Sequence, residues 1–502
     1  MITRRGLLLA AAGPAFVRGA GRPNVEAVTS GDVTYDRALI WARGDRAAKM
    51  LVRWGTTENG SKRLVRGSLC EGSTDFTSKL ILKGLPEGQT VFYDVQFEDG
   101  KTLSEPVRGQ LRTPSRKSSR DVRFAWSGDV AGQGYGINPD WGGMRGFEAV
   151  RQASPDFFIH SGDTIYADVP VEAEVKLTDG TIWRNLVTPE KSKVAETLAE
   201  FRGAYKYNLL DGHFRKFLAD IPQVWQWDDH EVLNNWSSST DLTANARYTE
   251  KDIRVLSARA RQAFREYSPI PFDGGRIHRR VSYGPLVDVF VLDMRSFRGP
   301  NTFNRQESES AETDFLGARQ MEWFQGALRE SKAVWKVIAA DMPIGLLVPD
   351  GKDPQGRTRF EAIANGDGPA FGRELETARL LKFIKDNRIR NTVWFTADVH
   401  YTAAHRYSPE RAQFKDFDPF WEFVSGPLHA GSFGPGTLEN TFGPEMVFAK
   451  HPPKGQGNLP PSAGYQFFGD VQVEAKSQAM RVVLRDISGA ALYTKLLEPA
   501  NR

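Results

Sequence analysis

One cysteine is all the chain carries among its 502 residues. Cys70 therefore has no partner for an intrachain disulfide, and sites built on several soft thiolates are excluded. Long apolar runs are missing as well. The stretch Leu7 to Ala12 falls far short of the ~20 residues that span a bilayer, and no later segment reads as a membrane anchor. Charge of one sign does not dominate: 66 Lys and Arg stand against 62 Asp and Glu, a formal net charge of +4. The short basic stretches, HRR at 278–280 and SRKSSR at 115–120, read as solvated loops, so no nucleic-acid footprint is present. No internal repeat or low-complexity tract is found. GDVAGQGYGIN is glycine-rich but opens no helix, which excludes a dinucleotide fingerprint.

What is present is an ordinary globular composition in a chain long enough for two or more domains. The N-terminus, MITRRGLLLAAAGPAFVRGA, places Arg4 and Arg5 before a short apolar stretch and small residues. It predicts a cleaved export signal of the twin-arginine type over residues 1–20, and hence a periplasmic or secreted protein. Residues 24–114 alternate short apolar stretches with turns (ALIWARG, KMLVRWG, TSKLILKGL, TVFYDVQFEDG, VRGQLRT), as in an all-β, fibronectin-like sandwich. Residues 115–120 read as a linker. From 121 to 502 strands alternate with helices, the pattern of an α/β layered domain. The tail returns to strands.

Within that second domain, acids and histidines recur immediately after apolar runs. Asp129 follows RFAWSG, and Asp163 follows FFIHSG. Asp228, Asp229 and His230 follow VWQW; Asp398 and His400 follow TVWFTA. Any one such Asp reads equally as a turn or cap residue. The C-terminal ends of strands in open α/β sheets face the ligand crevice, so four such turns converge. Carboxylates crowded at one rim repel unless cations neutralise them. The expectation is a metal site, with two ions, built from oxygen and imidazole donors suited to Fe, Mn, Ca or Zn. Two cations lower the pKa of a shared water and give hydroxide at neutral pH.

The order SGD, GDTIY, WDDHE, ADVH resembles that of the calcineurin-like dimetal phosphoesterases. Within them HSGDTIYAD, WDDHEVLNNW, LDMRSFR and TADVH resemble the alkaline phosphatase D (PhoD-like) family and its phospholipase D-type relatives. The resemblance implies a four-layer metallophosphatase fold, a β-sandwich flanked by helices. It implies that Asp163 bridges two metals, that Tyr166 and His400 bind the first, and that Asp229 and Asp398 bind the second. Fe3+ is implied at the first site, as in purple acid phosphatases, and a divalent ion at the second, Ca2+ first, with Mn2+ or Zn2+ as alternatives. His230 is implied outside the ligand shell, donating to phosphate or leaving oxygen. Phosphate esters of small molecules or phospholipid head groups are the implied substrates.

Two departures stand out. Better-known bacterial members carry a Cys ligand in the first motif, where this chain has Asp129, which is taken as a first-ion ligand. The C-terminal strands replace a helix that caps the site in those members, which favours bulkier substrates and keeps a phosphodiesterase or phospholipase reading open. A non-catalytic, metal-stabilised binding protein is a remoter alternative. Arg295 and Arg298 suit either a phosphate fork or a buried ion pair beneath the site. Asn234 and Asn235 either orient His230, touch phosphate or make a turn; Asn235 and Arg295 join His230 as expected catalytic groups. Asp168, Asp228 and His405 are expected behind the ligands, and His160 in the core. His213, His278, His429 and His451 belong to no constellation.

Overall fold

The structure, a computed structural model, describes residues 21–60, 62–117, 120–271 and 276–500. The expected export signal lies outside the described residues, as do two positions of the expected linker.

Two large mixed sheets face each other. The nine-stranded one centres on three parallel strands, Val122–Ser127, Phe157–Ser161 and Gln223–Gln226. The seven-stranded one centres on Val287–Val291, Trp335–Ala339, Thr392–Thr396 and Phe420–Val424, also parallel. Each central strand is apolar on both faces (FFIHS and VDVFV are buried throughout), as strands covered on both sides must be. Between the sheets Phe124, Trp126 and Ile159 pack against Val289, Val337, Phe395 and Phe423. The Trp126 indole donates to the carbonyl of Thr396 across the layer at 3.1 Å, so the burial of its polar edge is compensated.

Helices cover the outer faces. Arg145–Ala153, Leu198–Asn208, Gly212–Asp220 and Ile253–Tyr267 share one core outside the first sheet. Ala318–Glu330 and Glu374–Asp386 share another outside the second. The result is the four-layer helix–sheet–sheet–helix arrangement. Among the elements that escape the sequence reading are strands Val25–Gly31, Arg63–Cys70, Arg279–Tyr283, Thr402–Tyr407 and Pro444–Lys450 and helices Leu198–Asn208 and Ile253–Tyr267.

The N-terminal region is an all-β sandwich whose second sheet is built on Arg63–Cys70, Ala48–Gly55, Thr90–Asp99, Thr102–Leu103 and Val107–Arg112. Its first sheet does not stand apart. Val25–Gly31 runs parallel to Gln223–Gln226, meeting it at Gly31 and Gln223, so Val25–Gly31, Arg37–Gly44 and Thr77–Lys83 extend the nine-stranded sheet. Cys70 is buried in the sandwich core, its thiol donating to the carbonyl of Ala48. Among the described residues no helix is long and apolar enough to cross a membrane. After Asp386 they form strands and one 3-10 turn, Pro461–Ala463.

Candidate metal centre

The four acid-bearing turns meet at one rim. Three of them leave their strands through left-handed residues: φ is 64° at Asp129, 50° at Asp163, and 67° and 60° at Asp398 and His400 of one turn. Such backbone is strained for non-glycine residues, and its concentration here marks a site rather than ordinary turns. Space is reserved by glycines on the opposing loops. A Cβ at Gly426 would stand 2.1 Å from Asp129 Oδ2, and one at Gly132 2.3 Å from the Tyr166 ring.

Three overlapping groups of donors form, in each of which the atoms lie within 4.8 Å of one another: Asp129, Asp163 and His400; Asp163, Asp229 and His230; Asp228, Asp229 and Asp398. Asp163 and Asp229 belong to two groups each, so the cluster is continuous and long enough for two ions. Tyr166 joins it through its hydroxyl, 2.8 Å from His400 Nε2. The other nitrogen of His400 is held by the carbonyl of Gly431, which fixes the ring.

The electrostatics are those of a cation site. Both carboxylate oxygens of Asp129 and Oδ1 of Asp229 are buried with no hydrogen-bond partner. Burial pushes the Asp129 carboxyl up to about 8 and holds Asp163 and Asp398 well above the usual range. The Tyr166 hydroxyl is driven upward by burial and by Asp163, while burial depresses His400 to about 4, leaving a neutral imidazole able to ligate. Hard oxygen donors with one neutral imidazole fit the expected metals. These buried clusters can hold metal ions.

His230 is placed differently. Its Nδ1 pairs with Asp168 Oδ1 at 2.6 Å, leaving Nε2 as its remaining polar atom. Burial opposes its charge, but Asp168, Asp229 and Asp163 outweigh that and hold the imidazole protonated. Asp168 is in turn fixed by the backbone N–H of Asn234 at 3.0 Å. Asn235 serves through its backbone, donating to Asp229 Oδ2 at 2.6 Å. Its side-chain amide donates to Asp350 at 3.1 Å, so the expectation that it touches His230 is not what the structure places there.

Arg295 corrects the reading that set it among the catalytic groups. It is fully buried beneath the rim, bound to Asp228, Asp341 and Glu361. With its donors so engaged it is the ion pair under the site, not a phosphate fork. Arg298 lies in the same layer on Glu361, 2.7 Å away. Asp228 uses Oδ1 for Arg295 and keeps Oδ2 without a partner. His405 pairs with Glu422 at 2.9 Å, and His160 packs edge-on to Trp225 in the core.

Four residues were missed. Glu231 clamps the GDTIY turn to the WDDHE turn, accepting from Thr164 N at 2.7 Å, Thr164 Oγ1 at 2.6 Å and Asp228 N at 2.8 Å. Lys191, 3% exposed, donates to the carbonyls of Tyr166 and Val169 and braces the phenol's loop. Asp341 follows its strand as the ligand acids do. Glu361 carries no comparable local signal.

Comparison with known proteins extends this geometry. The family model described as "PhoD-like phosphatase" matches residues 124–484, and that of its N-terminal domain matches residues 12–115. Alkaline phosphatase D of Bacillus subtilis (strain 168) is 24% identical over 433 residues, covering 81% of this chain and 69% of that protein. A solved structure of PhoD is similar with a TM-score of 0.70 at 20% identity, over 94% of this chain and 90% of the other. Purple acid phosphatase PPD1 from yellow lupin (Lupinus luteus) seeds is similar at 0.54 and 12% identity, over 95% and 74% of the two chains. Both share the fold.

Proposed function

The chain belongs to the PhoD-like phosphatase family and is a phosphoester hydrolase, and from that premise we propose that it is an exported dimetal phosphoesterase. The observation that carries the reading is the run of partnerless, buried carboxylate oxygens at one rim, with His230, held by Asp168, beside them. Asp129, Asp163, Tyr166 and His400 would hold the first ion, Fe3+. Asp163, Asp229 and Asp398 would hold the second, Ca2+, with Mn2+ or Zn2+ as substitutes. When bound, such a pair supplies an activated water nucleophile and neutralises charge on the phosphoryl oxygens.

The chain's own residues do the rest. Asn235 N–H and Glu231 fix the WDDHE turn, so that Asp229 and His230 project together. Asp168 orients His230, whose free nitrogen donates its proton to the leaving oxygen. Export by the twin-arginine route to the periplasm or exterior rests on the sequence of residues 1–20. The substrates are phosphate esters of small molecules.

A diesterase or phospholipase D-type activity is favoured by one observation: no helix follows Asp386 among the described residues apart from a single 3-10 turn, and so none covers the rim from the C-terminal side. Side-by-side hydrolysis of a nitrophenyl phosphomonoester and its diester, with Fe present and Ca, Mn or Zn varied, separates the two. Monoester preference supports the first reading and diester preference the second. No turnover of either by metal-loaded protein defeats both.

A further inference from the structure

A second group of buried oxygens lies away from the rim, where loop 363–373 enters helix Glu374–Asp386 and meets residues 439–441. The two segments are stitched by three hydrogen bonds. Asn440 N donates to Asp367 Oδ1 at 2.9 Å, Gly368 N to Asn440 Oδ1 at 3.0 Å, and Thr441 Oγ1 to the Gly368 carbonyl at 3.0 Å. Glu374 and Glu439 are 0% and 3% exposed, and Asn365 is 2% exposed. Each has one firm anchor, and the side chains of Thr441 and Asn365 also lie close enough to Glu374 to favour its charged form. Glu374 Oε2 accepts from Phe371 N at 3.2 Å, Glu439 Oε2 accepts from Thr441 N, and Asn365 Nδ2 donates to the Phe371 carbonyl at 3.0 Å. The other oxygens, Glu374 Oε1, Glu439 Oε1 and Asn365 Oδ1, are buried without partners.

We propose that Glu374, Glu439 and Asn365 form a further cation site, separate from the catalytic rim, for a hard divalent ion of the Ca2+ class. The donor set is oxygen only, comes from two chain segments and combines two carboxylates with an amide, as Ca2+ prefers. The strongest charges acting on the pair are themselves acidic: Glu439 acts on Glu374, and Asp367 on Glu439. After burial, that repulsion keeps the Glu374 carboxyl up at about 9, and burial lifts Glu439 to about 7. A cation relieves the repulsion and gives all three free oxygens a partner. A proton shared between the carboxylates relieves the repulsion and pairs their two oxygens but leaves Asn365 Oδ1 without a partner. The ion would tie the start of helix Glu374–Asp386 to the 439–441 segment.

The test counts Ca2+ bound per full-length chain by equilibrium dialysis. Wild type and E374Q/E439Q are compared, each also with D398N, so that ions at the rim are told apart. The double variant is expected to bind one Ca2+ fewer in both backgrounds, to lose a Ca2+-dependent rise in Tm, and to keep its hydrolytic activity. An unchanged Ca2+ count with an unchanged Tm response overturns the site and leaves a shared proton there. Should the double variant fail to fold, Asn365→Ala keeps both carboxylates and should weaken that Ca2+ by about tenfold or more. Unaltered affinity in Asn365→Ala overturns the site equally.

Discussion

Two layers of buried acid lie one beneath the other, and they handle their charge in opposite ways. In the lower layer Asp228, Asp341 and Glu361 surround Arg295, and Glu361 also takes Arg298. In the upper layer Asp129, Asp163, Asp229 and Asp398 gather around no guanidinium that satisfies them; the nearest approach is Arg295 to Asp398, at 3.7 Å. Burial is severe in both layers, with Asp398 alone partly exposed, but one layer is neutralised by arginine and the other is not. A carboxylate layer closed by arginine is structure. One with no guanidinium to neutralise it is a site. Asp228 sits on the boundary, with one oxygen in each layer.

Substitutions in each layer should therefore fail differently. The largest effect is expected from Asp163→Asn at the rim. Metal content should fall, and turnover should drop to that of the metal-stripped protein while the fold persists; near wild-type turnover would remove Asp163 from the centre. Next, Arg295→Met leaves Asp228 and Asp341 without an ion pair and Glu361 with Arg298 alone, and should cost about 3–5 kcal/mol in chemical denaturation. A loss no larger than the ~1 kcal/mol of a surface pair would show that the layers do not differ. Third, Asp168→Asn frees the His230 ring without touching a ligand. Turnover should fall by about 100-fold, within a general acid's own contribution, with metal content unchanged; loss of metal instead would make His230 a ligand.

The smallest effect concerns the core beside the rim. Burial depresses His160 from 6.5 to about 3. Its folded pKa lies below its unfolded one, so its share of stability is present above 6.5 and is lost as pH falls toward 3. His160→Phe should flatten the pH dependence of unfolding in that window; an unchanged slope would mean that His160 is charged in the folded protein.

What was legible in the sequence was local. An apolar strand followed at once by an acid marks Asp129, Asp163, Asp229 and Asp398 without knowledge of the fold, because strand ends converge in such sheets. The same signal was present at Asp341, after VIAA. Helix Ile253–Tyr267 was passed over because arginines dilute its pattern, yet Ile253, Leu256, Ala260, Ala263, Phe264 and Tyr267 keep helical spacing. The capping box of Thr197 and Glu200 announced helix Leu198–Asn208. What could not be read was pairing at a distance. Arg295 meets its acids across 46 to 67 residues, and nothing local tells a guanidinium that binds carboxylates from one that binds phosphate. The merging of the N-terminal strands into the catalytic sheet rests on one residue pair, Gly31 and Gln223, and has no sequence signature.

The most direct test of the two-layer account is anomalous scattering from crystals of the metal-loaded protein, paired with elemental analysis. The account predicts two adjacent ions among Asp129, Asp163, Tyr166, Asp229, Asp398 and His400, and none in the layer around Arg295. A fully active protein with a single ion, or an ion bound between Asp341 and Glu361, would contradict it.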